Sequence, residues 1–326
     1  MRVLLCGGAG YIGTHVALEF LERGDTVGIL DDFSSGLREN VSPKAQLFEG
    51  SILDTATLDT VMGYTWDTVV HLAAFKAAGE SMLDPAKYAH NNITGSLQLI
   101  AACERHGIRQ FILSSSAAVY GEPNYLPIDE KHPTVPENYY GYTKLAIEEN
   151  LAWFAKLKGL RYVSLRYFNA AGYDPQGRML GMERNPANLI PVVMEVAAGM
   201  RKKVQVFGCD YPTDDGTGVR DYVHVTDLAD AHVRAADYLS RGGDSLVVNL
   251  GSEQGLSVRQ IIDAARKISG QPIAEEIVGR RPGDPAKLVA SSAKAKEILG
   301  WQARFSTVDS IIATTWKVYD SVGKNR

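Results

Sequence analysis

Tyr140 and Lys144 stand four residues apart, and Ser116 precedes the tyrosine by 24 residues. Of the chain's 15 tyrosines, only Tyr140 has a lysine four positions downstream. At helical spacing the two side chains share a face. A phenol with a pKa of ~10 is a poor base at neutral pH, but an adjacent ammonium favours the phenolate. The trio therefore suggests proton transfer during oxidation and reduction of an alcohol. In isolation the same spacing also describes an exposed aromatic beside a solvated lysine, so the chemistry requires a cofactor site.

The first thirteen residues offer one. Arg2 to Cys6 reads as a short buried strand, Gly7, Gly10 and Gly13 follow as G-x-x-G-x-x-G, and Thr14 to Arg23 is apolar-periodic. Gly7 permits a tight turn, Gly10 lets the backbone approach a pyrophosphate, and Gly13 lets helix pack on strand with its N-terminus facing the phosphates. A second strand, Val27 to Leu30, ends at Asp31 and Asp32, eighteen and nineteen residues past Gly13. A carboxylate there accepts a ribose 2′-hydroxyl and repels a 2′-phosphate, which favours NAD over NADP. The positive charge of a nicotinamide would push Tyr140 further toward phenolate.

Composition narrows the partners. With 326 residues, 45% hydrophobic and 22% charged, the chain can bury a large core in one large or two closely associated domains. A net charge of −4 without a basic tract argues against nucleic acid, so a diphosphate ligand must be held by a few placed arginines. Cys6, Cys103 and Cys209 are too scattered for a disulfide framework, and no metal-like cluster occurs. The start lacks a signal-peptide pattern and no apolar run reaches membrane-spanning length, so a soluble cytoplasmic protein is expected.

Gln46 to Glu49, Thr68 to Leu72, Gln110 to Ser114 and Arg161 to Tyr167 read as strands, separated by helical stretches such as Asn91 to Arg105 and Tyr140 to Lys158. This alternation predicts an α/β fold with a doubly wound parallel sheet. Pro123, Pro127, Pro133 and Pro136 make Gly121 to Pro136 a loop that delivers the chain to the Tyr140 helix. Beyond Asn169, the stretches Gly172 to Pro191 and Gly208 to Gly218 are rich in Gly, Pro, Asp and Asn, which suits a smaller α/β substrate domain. The expected division is 1–170 for a Rossmann-type NAD domain, rejoined by part of 221–250, and 171–326 for the substrate domain.

Together these segments resemble the extended short-chain dehydrogenase/reductase superfamily and, within it, the UDP-glucose (UDP-galactose) 4-epimerases. The first-half motifs are Gly7-Gly8-Ala9-Gly10-Tyr11-Ile12-Gly13, His71 to Ala77, Ser114 to Gly121, Tyr140-Gly141-Tyr142-Thr143-Lys144 and Leu165 to Asn169. They are shared across the superfamily. Gly208 to Tyr222 and Arg280 to Pro285 look specific to epimerases.

By position, the resemblance implies that Tyr140 takes the proton from the sugar 4-hydroxyl, Lys144 binds the nicotinamide ribose and holds the phenolate, and Ser116 bonds the 4-oxygen. It implies NAD contacts from Gly7, Gly10, Tyr11, Ile12, Gly13, Asp31, Asp32, Ser35, Ser51, Ile52, Lys76, Asn91, Ser114, Tyr140, Lys144 and Tyr167. Ser51 departs from the pattern, because many relatives place there an aspartate that bonds the adenine amino group. Arg220 and Arg281 resemble a pair that clamps the diphosphate, a task suited to guanidinium forks. Asn169, Asn188, Leu189, Gln205, Phe207 and Asp284 fall where the family binds hexose and UMP. Phe207 could equally be a core aromatic, and His224, alternating with apolar residues, reads as structural.

The implied cycle oxidises the sugar at carbon 4, turns the keto-hexose about its anchored diphosphate and reduces it from the other face, with NAD as a resident catalyst. A 4,6-dehydratase would carry an Asp-Glu pair after the catalytic serine, where this chain has Ala117 and Ala118. Other NAD-dependent nucleotide-sugar epimerases remain alternatives. A silent NAD-sensing protein would be expected to lose the tyrosine, the lysine or the sugar loops, and all are present. Leu288 stands where some relatives have tyrosine, and the smaller side chain leaves room for an N-acetyl group. The resemblance also implies a homodimer joined through the helices at 91–105 and 140–158.

Overall fold

β1 (Arg2–Cys6) leads through the glycine turn into α1 (Tyr11–Glu22), and the alternation continues with β2 (Thr26–Asp31), β3 (Gln46–Glu49), α2 (Thr55–Met62) and β4 (Thr68–His71). Next come the short α3 (Ala78–Leu83) and α4 (Pro85–Tyr88), then α5 (Gly95–Arg105), β5 (Gln110–Ser116), α6 (Tyr139–Lys158) and β6 (Arg161–Tyr167). The second half runs β7 (Asn169–Ala171), α7 (Leu189–Ala197), β8 (Val204–Phe207), β9 (Val219–His224), α8 (Val225–Ser240), β10 (Leu246–Leu250), β11 (Gly255–Ser257) and α9 (Val258–Ser269). It closes with β12 (Glu275–Val278), β13 (Lys287–Leu288), α10 (Ala293–Leu299) and α11 (Val308–Lys324). The computed structural model describes residues 1–324 apart from Leu180, Met182, Arg184, Asn185, Ala187 and Pro282; Pro282 of the Arg280 to Pro285 motif thus lies outside the described residues.

Among the described residues, seven strands form one parallel sheet in the order β10-β6-β5-β4-β1-β2-β3. The strands read as continuous apolar runs because both faces are covered. Val3 and Leu5 of β1 join Val16 and Phe20 of α1 and Leu228 of α8 in one buried cluster. Leu4 and Cys6, pointing the other way, join Leu58 of α2, Leu99 of α5 and Leu151 of α6 in a second. Strand order reverses between β1 and β4, whose last residues Cys6 and His71 are paired, and a crevice opens at such a point in doubly wound sheets.

The second half supplies β10 to this sheet and otherwise builds smaller ones: β11-β9-β13 with β7 beside β9, and the parallel pair β12-β8. Its own core gathers Val193 and Met194 of α7, Val206, Ile261 and Ile262 of α9, and Ile311 and Ile312 of α11. Among the described residues no helix is long and apolar enough to cross a membrane.

Two elements differ from the sequence expectation in ways that matter for the site. β5 runs two residues past Ser114, because Ser115 and Ser116 keep pairing with Arg166 and Tyr167 of β6. The helix expected to begin at Asn91 instead enters through a π-helical turn, Ala89–Thr94. There the buried Asn92 amide bridges the Phe75 backbone and the Thr143 hydroxyl, tying the turn to the wall after β4 and to α6. α6 itself starts where Asn138 accepts from the Gly141 amide (2.9 Å) and stops at Gly159, whose φ of 69° suits glycine.

Candidate active site

Gly7 (φ +84°) turns the chain where a β-carbon would lie 2.5 Å from the Ala73 nitrogen, so β1 and β4 can deliver their following residues side by side. A β-carbon on Gly13 would meet the Gly7 carbonyl oxygen at 2.3 Å and Gly8 Cα at 2.7 Å, which is the close helix–strand packing expected of the third glycine. Gly10 faces open space apart from that carbonyl at 3.5 Å. It is the N-cap of α1, has no side chain to cap the helix, and no acidic residue occupies the first turn. The first amides of α1 thus lack intrahelical acceptors and open on a cleft of about 480 Å³. A dinucleotide pyrophosphate fits that end.

All sixteen residues expected to contact NAD line this one cleft. Asp31 is buried, and its carboxylate accepts from the amides of Ala9 and Phe33, both at 2.9 Å. It therefore holds the glycine turn closed and retains acceptor capacity toward the cleft. Burial pushes its pKa up against those two amides, with Asp32 adding to the rise. Ser51 spends its hydroxyl on the Leu53 amide (3.3 Å). Lys76 forms an ion pair with Glu183 across the cleft, and Asn91 donates to Asn92 at 3.0 Å. Tyr167 is buried with its hydroxyl 2.5 Å from His232 Nε2.

At the inner end of the cleft, α6 lays Tyr140 and Lys144 on one face against β5. Lys144 is buried and its ammonium donates to the Ser114 carbonyl at 2.7 Å. It lies 5.9 Å from the centre of the Tyr140 ring. Burial lowers its pKa to about 8, with Glu148 opposing the shift. The expected depression of the Tyr140 phenol is not produced by the protein alone. Burial raises its pKa above the ordinary value, and the opposing contribution is the hydroxyl of Ser116. The physical reason is that dehydration of a buried phenolate outweighs a lysine whose donor is aimed at a carbonyl. Ser116 is also not beyond the strand, as expected, but its final residue, and its hydroxyl accepts from the Ala118 amide at 3.1 Å.

The residues expected to hold the substrate divide into two sets. Asn188 lines the cleft as the N-cap of α7, with no side-chain cap bond to occupy it, and Leu189 follows as the first helical residue. The others lie on the smaller sheets or, for Arg281 and Asp284, between β12 and β13. Arg281 lies 3.7 Å over the Phe207 ring, so Phe207 is a platform rather than only a core aromatic. Arg220 is paired with Asp284 and donates to the Val219 carbonyl (2.7 Å), which uses two of its five N–H groups. Leu288 of β13 is in register with Arg220, while Asn169 donates to the Asp221 carbonyl at 3.0 Å. Gln205 is exposed on β8, two residues before Phe207. His224 is fully buried, 3.1 Å from both the Thr226 amide and the Thr314 hydroxyl, as its structural reading requires.

Glu80, Tyr88, Glu183 and Pro186 also line the cleft and were not anticipated. Glu183 sits in an irregular stretch without periodicity or motif spacing to mark it. Tyr88 precedes the π-helical turn and donates to the Ala77 carbonyl (2.9 Å), a contact made by tertiary packing.

The "NAD dependent epimerase/dehydratase family" model matches residues 3–251. The chain is 45% identical over 323 residues to the UDP-glucose 4-epimerase of Lacticaseibacillus casei, covering 98% of this chain and 97% of the relative. It is similar to the crystal structure of the UDP-glucose 4-epimerase from Brucella ovis in complex with NAD, with a TM-score of 0.95, 42% identity and 98% of each chain covered. A UDP-glucose 4-epimerase from Bifidobacterium longum in complex with NAD+ and UDP matches with a TM-score of 0.93 and 38% identity, over 100% of this chain and 99% of that one.

Proposed function

The chain belongs to the NAD dependent epimerase/dehydratase family, and from that membership we propose that it is a UDP-glucose 4-epimerase interconverting UDP-glucose and UDP-galactose. The observation that carries the reading is that Tyr140 and Lys144 line a cleft together with the other fourteen NAD-contact candidates, with Ser116 bonding the phenol.

Bound NAD supplies a reversible two-electron acceptor and a positive charge beside the phenol. The uncapped amides of α1 hold its pyrophosphate, and Asp31 with Asp32 holds the adenosine ribose. Tyr140 takes the proton from the sugar 4-hydroxyl as carbon 4 is oxidised and returns it when the ketone is reduced from the opposite face. Ser116 steadies the 4-oxygen through both halves. Lys144 keeps the phenolate accessible and bonds the nicotinamide ribose. Arg220 and Arg281 grip the diphosphate while Asn169, Asn188, Leu189, Gln205, Phe207 and Asp284 bound the hexose and UMP. Firm grip on the nucleotide and loose grip on the hexose let the 4-keto sugar turn over without leaving.

We assign NAD binding to residues 1–170 with part of 221–250, and nucleotide-sugar binding to 171–326. We also propose a homodimer through α5 and α6, since α6 leaves Trp153 57% and Leu157 65% exposed one turn apart. Trp153→Glu with Leu157→Glu is expected to give a monomer by light scattering, and an unchanged mass would discard that interface. The three cysteines are free thiols, in keeping with a cytoplasmic enzyme.

The deciding experiment is a coupled epimerase assay without added cofactor, and failure with both sugars would overturn the reading. Substrate breadth turns on Leu288. Leu288→Tyr is expected to lower kcat/KM for UDP-N-acetylglucosamine about tenfold while changing UDP-glucose turnover less than about threefold. Equal rates for variant and wild type on the acetylated sugar would remove Leu288 as the determinant.

A further inference from the structure

Three consecutive serines at the end of β5 each engage a different residue of α6. The Ser114 carbonyl accepts from Lys144 at 2.7 Å, the Ser115 hydroxyl donates to Glu148 at 2.5 Å, and the Ser116 hydroxyl faces the phenol of Tyr140. Tyr140, Lys144 and Glu148 are spaced i, i+4, i+8, so they form one stripe along the helix. The mechanism uses the first two. Glu148 is buried and is also gripped by buried Arg166 of β6, with Nε at 3.0 Å and Nη2 at 2.5 Å. Arg166 Nη1 donates to the Tyr120 hydroxyl at 2.9 Å, and that hydroxyl donates to Asn249 Oδ1 of β10 at 2.6 Å. Two sheet strands thus bond one carboxylate a turn beyond the catalytic lysine, and a third is linked to them through Tyr120.

We infer that Glu148, braced by Arg166 and Ser115, is a positioning residue that keeps Lys144 charged and fixed against the Ser114 carbonyl. The inference rests on the epimerase reading for its consequence in turnover, but not for its consequence at Lys144. The bidentate fork ties α6 to β6 and the Ser115 hydroxyl ties it to β5, which together fix the places of Lys144 and Tyr140. Its charge acts as well. Facing Lys144 are Tyr140 and Glu148 on its own helix, the Ser114 carbonyl on β5 and His71 on β4, while on β6 Tyr167 lines the same cleft and Arg166 bonds Glu148. His71 is held neutral, pushed down to about 3 by burial and by Lys144, with Nε2 2.7 Å from the Ser96 hydroxyl. Tyr167 is raised by burial and stays neutral. Of these groups, Glu148 is the anion that raises the lysine pKa, which burial otherwise lowers. Because Glu148 opposes the lowering that burial imposes on the lysine, loss of Glu148 lets the ammonium lose its proton at lower pH.

The test is a titration of Lys144 in the intact protein carrying ¹³C at lysine Cε, assigned by the signal that Lys144→Met removes. Glu148→Gln is expected to lower the midpoint by at least about 0.5 pH unit, and Glu148→Asp to stay within about 0.2 unit of wild type. In turnover, Glu148→Gln is expected to lower kcat about tenfold at pH 8, with KM changed less than about twofold and the alkaline limb of the profile displaced to lower pH. Glu148→Gln combined with Arg166→Gln removes both members of the buried ion pair, so neither is left without its partner, which protects the fold. It is expected to lower the midpoint less, in the same direction, because Glu148 is the nearer neighbour. A midpoint unchanged in both the single and paired variants overturns the inference. Should wild type epimerise neither sugar, the functional reading fails while the titration still decides the role of Glu148.

Discussion

Tyr140→Phe is expected to lower kcat for UDP-glucose about 10³-fold while changing KM less than about threefold and leaving bound NAD in place. The phenol hydroxyl meets the Ser116 hydroxyl, and its loss leaves the backbone bonds of this residue in place. Among the bonds that position this residue, its backbone amide donates to the Ser81 hydroxyl at 3.0 Å and its carbonyl accepts from the Thr143 hydroxyl at 2.7 Å. Phenylalanine keeps both. What it loses is the atom that exchanges a proton with the 4-hydroxyl, an effect confined to the transition state. Purified variant, its cofactor measured by absorbance after denaturation, would be compared with wild type in the coupled assay. A loss smaller than about tenfold would move the base to another group, with Ser116 the nearest alternative.

Gly13→Ala is expected to destabilise the protein and to empty it of NAD. Its β-carbon would fall 2.3 Å from the Gly7 carbonyl oxygen and 2.7 Å from Gly8 Cα, and both obstacles are backbone that cannot rotate away. Overpacking of this kind costs about 1–3 kcal/mol, and the rigid neighbours place this site at the upper end. Relief requires α1 to move off β1, which withdraws its amides from the pyrophosphate. Lower denaturant midpoints together with NAD-free purified protein are therefore expected. Full NAD content at wild-type stability would mean that the turn tolerates a side chain.

Legibility followed the range of the interactions. The glycine turn, the strands and the carboxylate at Asp31 were readable because they depend on local spacing, and β1, β3 and β6 fall on the expected residues. Resemblance singles out Ser116 among three serines where spacing cannot, because the register of β5 against α6 decides which hydroxyl meets the phenol. The phenol of Tyr140 was expected to be depressed by its lysine neighbour. Spacing reports proximity but not dehydration, and burial reversed the sign. Glu148 had a visible signal, one turn past Lys144, yet its partner Arg166 is eighteen residues away and reaches it only through the pairing of β5 with β6. Glu183 had none, since its meeting with Lys76 joins residues 107 positions apart.

The serine run at the end of β5 makes turnover a head count of correctly zipped sheets. A one-residue slip of β5 against β6 would send each side chain to the opposite face. Ser115 would leave Glu148, Ser116 would leave the phenol, and the ammonium would face a different carbonyl, all in one event. A misregistered chain therefore contributes silent protein rather than weak enzyme. Specific activity after refolding would then measure the fraction of molecules in the right register, not an average over imperfect ones.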